Sequence, residues 1–167
     1  MLALVTAAEE DLSVSTLELD HPDHPYSIET LTRLKIELPG EDIFFVIGAD
    51  SWQEITTWHR WEEVLTIVNI IVVTRPGFEI TSNHVTEKIE ARVVDLRSQQ
   101  TGDRRQESEA GRRGDSSDET RIFITDAVNI DISATEIRKL IREGREGWKE
   151  LVPEAVAGHI EKYHLYR

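Results

Sequence analysis

The chain has 167 residues, and 32 acidic against 19 basic side chains give it a formal charge of −13. That length suits one domain, two at most, and the acidic balance argues against a protein that grips long nucleic acid through a broad basic face. There is no Cys, which excludes disulfides, thiolate catalysis and Cys-based zinc sites and points to a reducing, cytoplasmic setting.

Leu, Ile, Val and Phe together exceed the ~20% below which a highly charged chain stays disordered, so a core can form. The longest apolar runs, Ile43–Ile47 and Ile70–Val73, fall far short of the ~20 residues that cross a bilayer. Glu9, Glu10 and Asp11 with no early Lys or Arg do not read as a signal peptide.

In chain order, Met1–Ala8 reads as part of a helix with no residue ahead of it to cap it. Val14–Leu19 alternates and is β-prone, which predicts a strand. His21-Pro22-Asp23-His24-Pro25 predicts a rigid loop, because two prolines forbid regular pairing. Ile28, Leu31, Leu34 and Leu38 lie at helical spacing over Ser27–Leu38, and Pro39-Gly40 ends that helix. The continuous apolar run Ile43–Ile47 predicts a central strand covered on both faces. A Trp-rich helical stretch to about Ile67 follows, then a buried strand over Asn69–Thr74 closed by Arg75-Pro76-Gly77. Shorter strands are expected over Ala91–Leu96 and Arg121–Thr125. Helices are expected over Ser133–Glu143 and Pro153–Tyr163, with Pro153 in the first turn. Strand and helix alternate, which predicts an α/β fold with a parallel sheet flanked by helices. Ligands on such sheets bind at the carboxyl ends of strands.

Arg97–Thr120 breaks the pattern: 24 residues with five Arg, six acids and no Val, Ile, Leu, Met or aromatic side chain. It cannot bury enough apolar area to offset its ordering entropy, so a disordered insertion at 97–120 is expected within a single domain spanning 1–167. The interleaved acids weigh against reading its Arg pairs as a nucleic-acid tail.

Three constellations could carry chemistry. In Phe45-Val46-Ile47-Gly48-Ala49-Asp50 a buried strand ends in two small residues and a carboxylate. Gly48 and Ala49 would let a ligand approach the backbone, and Asp50 could accept hydrogen bonds from sugar hydroxyls. A tight turn with Asp50 capping the next helix is an equally weighted reading. In Ile132–Arg138, Ser133 and Glu136 form an S-x-x-E capping box. The first-turn N–H groups can hold an anion that Arg138 could also reach, though plain capping with a solvated Arg138 is the commoner outcome. Trp52, Trp58 and Trp61 lie within ten residues. Most tryptophans pack in cores, yet one of these could face a flat heterocycle, and spacing does not choose among them. His21 and His24 have H-x-x-H spacing, but the flanking prolines keep them off one helix face, and none of the six His is assigned to a metal.

Taken together, these residues resemble the bacterial nicotinate-nucleotide adenylyltransferases, in order along nearly the whole chain. Pro25–Leu31 is similar to the family's S-Y-T-x-x-T-L, Phe45–Asp50 to F-I-I-G-A-D and Thr57–Leu65 to the W-x-x-W-x-x-L helix. Val72–Gly77 is similar to V-V-x-R-P-G. Asp131–Arg138 is similar to D-I-S-S-T-x-I-R, with Ala134 in place of the second Ser. Leu151–Tyr166 is similar to the closing V-P-x-x-V-x-x-Y-I segment. The resemblance implies a Rossmann-like nucleotidyltransferase fold that joins ATP and nicotinate mononucleotide into deamido-NAD and pyrophosphate with Mg²⁺. It implies that Trp58 stacks on the nicotinate ring with His59 beside it, and that Tyr26 and Ser27 line that pocket. Asp50, at the Gly48-Ala49 turn, would hold a ribose. Ser133, Thr135, Arg138 and, more weakly, Arg75 would meet the ATP phosphates. The partners implied are these small molecules, with no nucleic acid, no membrane, and a homo-oligomer as an option.

The family opens with a strand and a G-G-T-F-D-P-x-H-x-G-H loop whose His residues contact ATP phosphates, and nothing here matches it. His21-Pro22-Asp23-His24 lacks the Gly and follows the wrong strand. The resemblance places Met1 inside a helix after the first βαβ unit, so a missing piece of roughly 30 residues or more is expected. The catalytic residues are therefore left unassigned, and the alternative function is a non-catalytic nucleotide-binding remnant. A sheet without that strand is expected to be poorly soluble or oligomeric.

Overall fold

The apolar runs near the middle of the chain become a four-stranded, all-parallel sheet. Its strands are β1 (Phe44–Gly48), β2 (Asn69–Val73), β3 (Val93–Asp95) and β4 (Ile122–Thr125), in the order β1–β2–β4–β3. The computed structural model describes residues 1–7, 9–20, 25–74, 80–97, 119–128 and 132–167. The helices are α1 (Leu2–Thr6), α2 (Ser27–Glu37), α3 (Ala49–Gln53), α4 (Trp61–Ile67), α5 (Glu87–Glu90), α6 (Ala134–Arg142) and α7 (Glu154–Lys162), with 3-10 turns at Ile55–Thr57 and Trp148–Leu151. The chain divides into two compact units, His21–Ile130 and Met1–Asp20 with Asp131–Arg167.

The register of the sheet explains the first unit's core. Phe45 faces Ile70 and Ile47 faces Val72 across β1 and β2, while Ile70 and Val72 face Ile122 and Ile124 across β2 and β4. With a side-chain period of two, these residues share one face. Ile70, Val72 and Ile122 there are fully buried, and they cluster with Ile28, Leu31, Trp52, Ile55, Val64 and Leu65 from the helical layer. That α/β layering matches the expected fold class. The expected elements also recur: α2, β2, β4, α6 and α7 each fall within about two residues of the sequence reading.

Four expectations are corrected. Val14–Leu19 is not a strand. The Ser15 hydroxyl accepts from the Leu17 N–H at 3.2 Å, the Thr16 hydroxyl donates to Asp20 Oδ2 at 3.0 Å, and the Thr16 carbonyl accepts from Leu19 and Asp20 N–H at 2.8 and 3.0 Å. Local Ser/Thr hydrogen bonds win over alternation there. Strand β1 is not covered on both faces. It lies at the sheet's edge, and Phe44 and Val46 are 49% and 58% exposed. The Trp-rich stretch is not one helix. Trp58 adopts an extended conformation, and Arg60 is left-handed at φ 53°, which restarts the chain as α4. The Ser133–Glu136 capping box does not close: Ser133 takes the N-cap position of α6 without a side-chain cap bond. The loop over 21–24, the Arg75-Pro76-Gly77 turn and most of the 97–120 insertion lie outside the described residues.

In the second unit, Ile141, Trp148, Val156, Ala157 and Ile160 form a separate buried cluster. Pro153 sits just before α7 as its N-cap, with φ −56° suited to a helix start. Helices α6 and α7 end in the same double hydrogen-bond pattern. Gly144 N–H reaches the Ile141 carbonyl and Arg145 N–H the Leu140 carbonyl, just as His164 N–H reaches Glu161 and Leu165 N–H reaches Ile160. This closure needs a left-handed residue after the helix. Gly144 meets the demand freely at φ 62°, whereas His164 meets it with a side chain at φ 51°. Relief of the left-handed penalty outweighs the added chain entropy of glycine. His164→Gly is therefore expected to stabilise the protein by about 0.5 kcal/mol and Gly144→Ala to destabilise it by about 1 kcal/mol. Denaturant midpoints of the two variants check the opposite signs.

Candidate functional site

The carboxyl ends of the parallel strands share one edge of the first unit, and three of the expected binding residues, Gly48, Ala49 and Asp50, stand at the end of β1. Gly48 is the last residue of β1, and Ala49 and Asp50 open α3. Asp50 turns back so that Oδ1 accepts from the Ser51 N–H at 2.9 Å. A Cβ on residue 48 would lie 2.5 Å from that same oxygen, so glycine here is what lets the carboxylate fold over the strand end. Ala49 is buried and Asp50 is exposed. Asp50 does not take the capping position, which falls to Gly48 without a side-chain cap bond; its carboxylate is held by a local N–H and remains open to solvent.

Tyr26 and Ser27 lead into α2, with Tyr26 extended at φ −67°, ψ 152° and 58% exposed. Its ring stacks on His59, with centroids 4.3 Å apart and planes 29° from parallel. Two residues far apart in sequence, both expected in one pocket, are therefore in contact. Trp58 is half-buried and its ring tilts against Phe45 of β1, 6.4 Å between centroids. Behind it, Arg60 makes a two-pronged pair with Glu63, one arm at 2.7 Å from Nε to Oε1. The hydrogen bond from Arg60 holds the Glu63 carboxyl below the usual carboxylate range. That exposed pair joins the left-handed Arg60 to the first turn of α4.

The three tryptophans divide by role. Trp52 is fully buried; its indole N–H donates to the Thr81 carbonyl at 3.0 Å, and the His84 ring stands edge-on to it at 5.3 Å. His84 Nε2 also bonds the Trp52 carbonyl at 2.8 Å. Trp52 is therefore a core residue locked from both ends, and Trp58 is the one partly open. Trp61 begins α4, half-buried against the core.

Sequence reasoning missed Asp95 and Arg97 at the end of β3. The Arg97 Nε donates to Asp95 Oδ1 at 2.9 Å and Nη2 to Oδ2 at 2.6 Å. That hydrogen bonding holds the Asp95 carboxyl below its ordinary range, and Asp126, just past β4, adds to the charge that raises Arg97. The D-x-R spacing was the available signal, but it fell at the margin of the polar insertion.

The phosphate-side candidates belong to the second unit. The Ser133 carbonyl accepts from Ile137 N–H at 3.0 Å at the start of α6, and Thr135 is exposed in its first turn. The Arg138 guanidinium lies over the Tyr166 ring, 5.6 Å from its centroid, which orients the planar fork and leaves donors for an anion. Tyr166 was legible only as part of the closing segment. Arg75 lies outside the described residues. Among the described residues, no group of three His, Asp or Glu side chains is arranged to hold a metal, and no helix is long and apolar enough to cross a membrane.

Residues 1–140 match the cytidylyltransferase-like family model. With the parallel sheet, this defines the chain as a nucleotidyltransferase of the α/β, Rossmann-like class. A protein of Citrifermentans bemidjiense named as a probable nicotinate-nucleotide adenylyltransferase is 34% identical over 166 residues, covering 99% of this chain and 72% of that one. One of the same name from Aeromonas hydrophila is 30% identical over 167 residues, with 100% and 72% coverage. The chain belongs to the nicotinate-nucleotide adenylyltransferase family. The fold is shared with the nicotinic acid mononucleotide adenylyltransferase of Plasmodium falciparum, solved in complex with NaAD, at TM-score 0.60 and 16% identity over 97% of this chain and 69% of that one.

Proposed function

We propose that this protein transfers the adenylyl group of ATP to nicotinate mononucleotide, giving deamido-NAD and pyrophosphate in NAD biosynthesis. The observation that carries the reading is the Tyr26–His59 stack at 4.3 Å beside the partly open Trp58, aromatic faces suited to a flat pyridine ring. A phosphate oxygen of the mononucleotide attacks the α-phosphorus of ATP. A new P–O bond forms there, the bond to the β-phosphate oxygen breaks, and pyrophosphate leaves. No protein nucleophile enters this displacement, so rate comes from alignment and from neutralising charge. In this reading Trp58, His59, Tyr26 and Ser27 hold the nicotinate end, and Asp50 accepts from ribose hydroxyls. Ser133, Thr135 and Arg138 meet the triphosphate, and Arg75 is a further candidate there. Mg²⁺ enters as part of the substrate MgATP, held largely by phosphate oxygens as is usual for that ion. A protein of charge −13 binds these anions against its overall field, so Arg138 and the metal supply the local positive potential.

The test is direct. Purified protein is mixed with MgATP and nicotinate mononucleotide, and pyrophosphate and deamido-NAD are measured. Stoichiometric formation of both supports the reading. Saturable mononucleotide binding with no turnover would assign a non-catalytic nucleotide-binding role instead. Competition with nicotinamide mononucleotide and phosphopantetheine sets the acceptor.

Gly48→Ala separates site from fold. The Cβ collides only with the tip of the exposed Asp50 side chain, so stability is expected to change by less than about 1 kcal/mol. Displacing the carboxylate loses a charge-assisted hydrogen bond to the ribose, about tenfold in mononucleotide affinity. Calorimetric titration beside a thermal melt reads both. A variant that melts normally and binds as tightly as the parent would remove Asp50 from the site.

A further inference from the structure

A cavity of about 650 Å³ opens within the second unit, in the bend between α6 and the Trp148–Leu151 turn. That volume lies in the range of small-molecule sites. Its inner wall is apolar, made by Ile141, Trp148 and Ile160, all at least nine-tenths buried. The bend is fixed by left-handed glycines at Gly144 (φ 62°) and Gly147 (φ 96°), neither of which has an atom within 4 Å of where a Cβ would stand. The glycines therefore shape the backbone around the opening without filling it.

The charges on the rim divide into committed and uncommitted groups. Lys149 lies 5.9 Å from the Trp148 ring centroid and is ion-paired with Glu161, closing one side. Arg145 pairs with Glu143 at 3.6 Å. Arg142 and Arg167 form no ion pair with a described residue, and Arg142 spends only its Nε on the Arg138 carbonyl at 3.3 Å. Glu146 and Glu150 on the same rim are likewise unpaired among the described residues. Two free guanidinia and two free carboxylates thus surround an apolar wall with an indole in it. An anion alone meets the glutamates and a cation alone meets the arginines.

We infer that this cavity binds a small zwitterion, one oxyanion and one cationic group carried on a flat apolar body. The guanidinium forks take the oxyanion, Glu146 and Glu150 take the cation, and the body lies against Trp148. None of these residues is used in the proposed adenylyl transfer, so the inference stands apart from it.

L-Phenylalanine is the probe, with 3-phenylpropionate and 2-phenylethylamine as its anion-only and cation-only halves. Binding is read on the full chain from the indole N–H signals in amide NMR spectra, with Trp148 assigned through Trp148→Phe. L-Phenylalanine is expected to shift the Trp148 signal saturably and to bind about tenfold tighter than either half. Arg142→Gln/Arg167→Gln is expected to abolish the advantage over phenylethylamine, and Glu146→Gln/Glu150→Gln the advantage over phenylpropionate. All four positions are exposed, so the variants are expected to fold, and their amide spectra verify it. No saturable shift with L-phenylalanine, equal affinity for one of its halves, or affinity unchanged in both double variants would overturn the inference.

Discussion

Trp52→Ala is expected to unfold the protein, whereas Trp58→Ala is expected to leave it folded and to weaken its nicotinate mononucleotide binding. Trp52 is 0% exposed in the centre of the main core. Truncating such a side chain costs about 3–5 kcal/mol through lost burial and the cavity left behind, comparable to the whole stability of a marginal domain. It also removes the indole bond to Thr81 and the edge contact that seats His84, so the 80–86 segment loses its anchor. Trp52→Phe retains most of the volume and is expected to fold with a lowered melting temperature. Trp58 is half-buried against Phe45, so its removal costs far less. Stacking of an aromatic side chain on a flat base is worth about 1–3 kcal/mol, which is about tenfold to a hundredfold in affinity. Thermal melts separate the first pair and mononucleotide titration separates the second. A stable, tightly binding Trp58→Ala protein would move the ring-stacking role to the Tyr26–His59 pair.

These two tryptophans also show what the sequence could and could not tell. Three Trp in ten residues announced something near the Gly48-Ala49-Asp50 turn, but periodicity could not say which ring packs inward. The answer depends on Thr81 and His84, which meet Trp52 across about 30 residues of chain. The parallel sheet was legible because its strands are short unbroken apolar runs between helical patterns. Strand β1 was misread because a run of five apolar residues looks the same at the centre of a sheet and at its edge. Exposure of Phe44 and Val46 is a property of what neighbours them. At Val14–Leu19 alternation was genuine, but Ser15 and Thr16 offered the backbone local partners that spacing does not register. The site followed the same division. Gly48 and Asp50 lie two positions apart in sequence and could be paired from it. The contact between Tyr26 and His59 was reachable only through resemblance, since 33 positions separate them.

The open edge of β1 leads to the second large effect. No described strand pairs with its outer side, and Phe44 and Val46 stand exposed on one face of the strand, with the Phe44 ring tilted against that of Phe123 at 6.2 Å. Unpaired backbone beside exposed apolar side chains is a template for another strand. The protein is therefore expected to self-associate through β1 as concentration rises. Val46→Lys places a charge on that open face at little cost to the fold, because Val46 is already 58% exposed. It is expected to hold the protein monomeric in sedimentation and light-scattering measurements. Ile47→Lys, one residue on, points into the core at 6% exposure and is expected to unfold the protein, since a shift of one position along a strand exchanges faces. Salt supplies an independent check. Antiparallel pairing of two β1 edges brings Glu41 and Asp42 of one copy toward Asp50 of the other, and each copy carries −13 overall. Repulsion opposes the contact at low ionic strength and is screened within about 10 Å at 0.1 M salt. Association is thus expected to strengthen as salt is added, the opposite of what an ion-paired interface would do. Association that weakens with salt, or that persists in Val46→Lys, would place the interface elsewhere on the molecule.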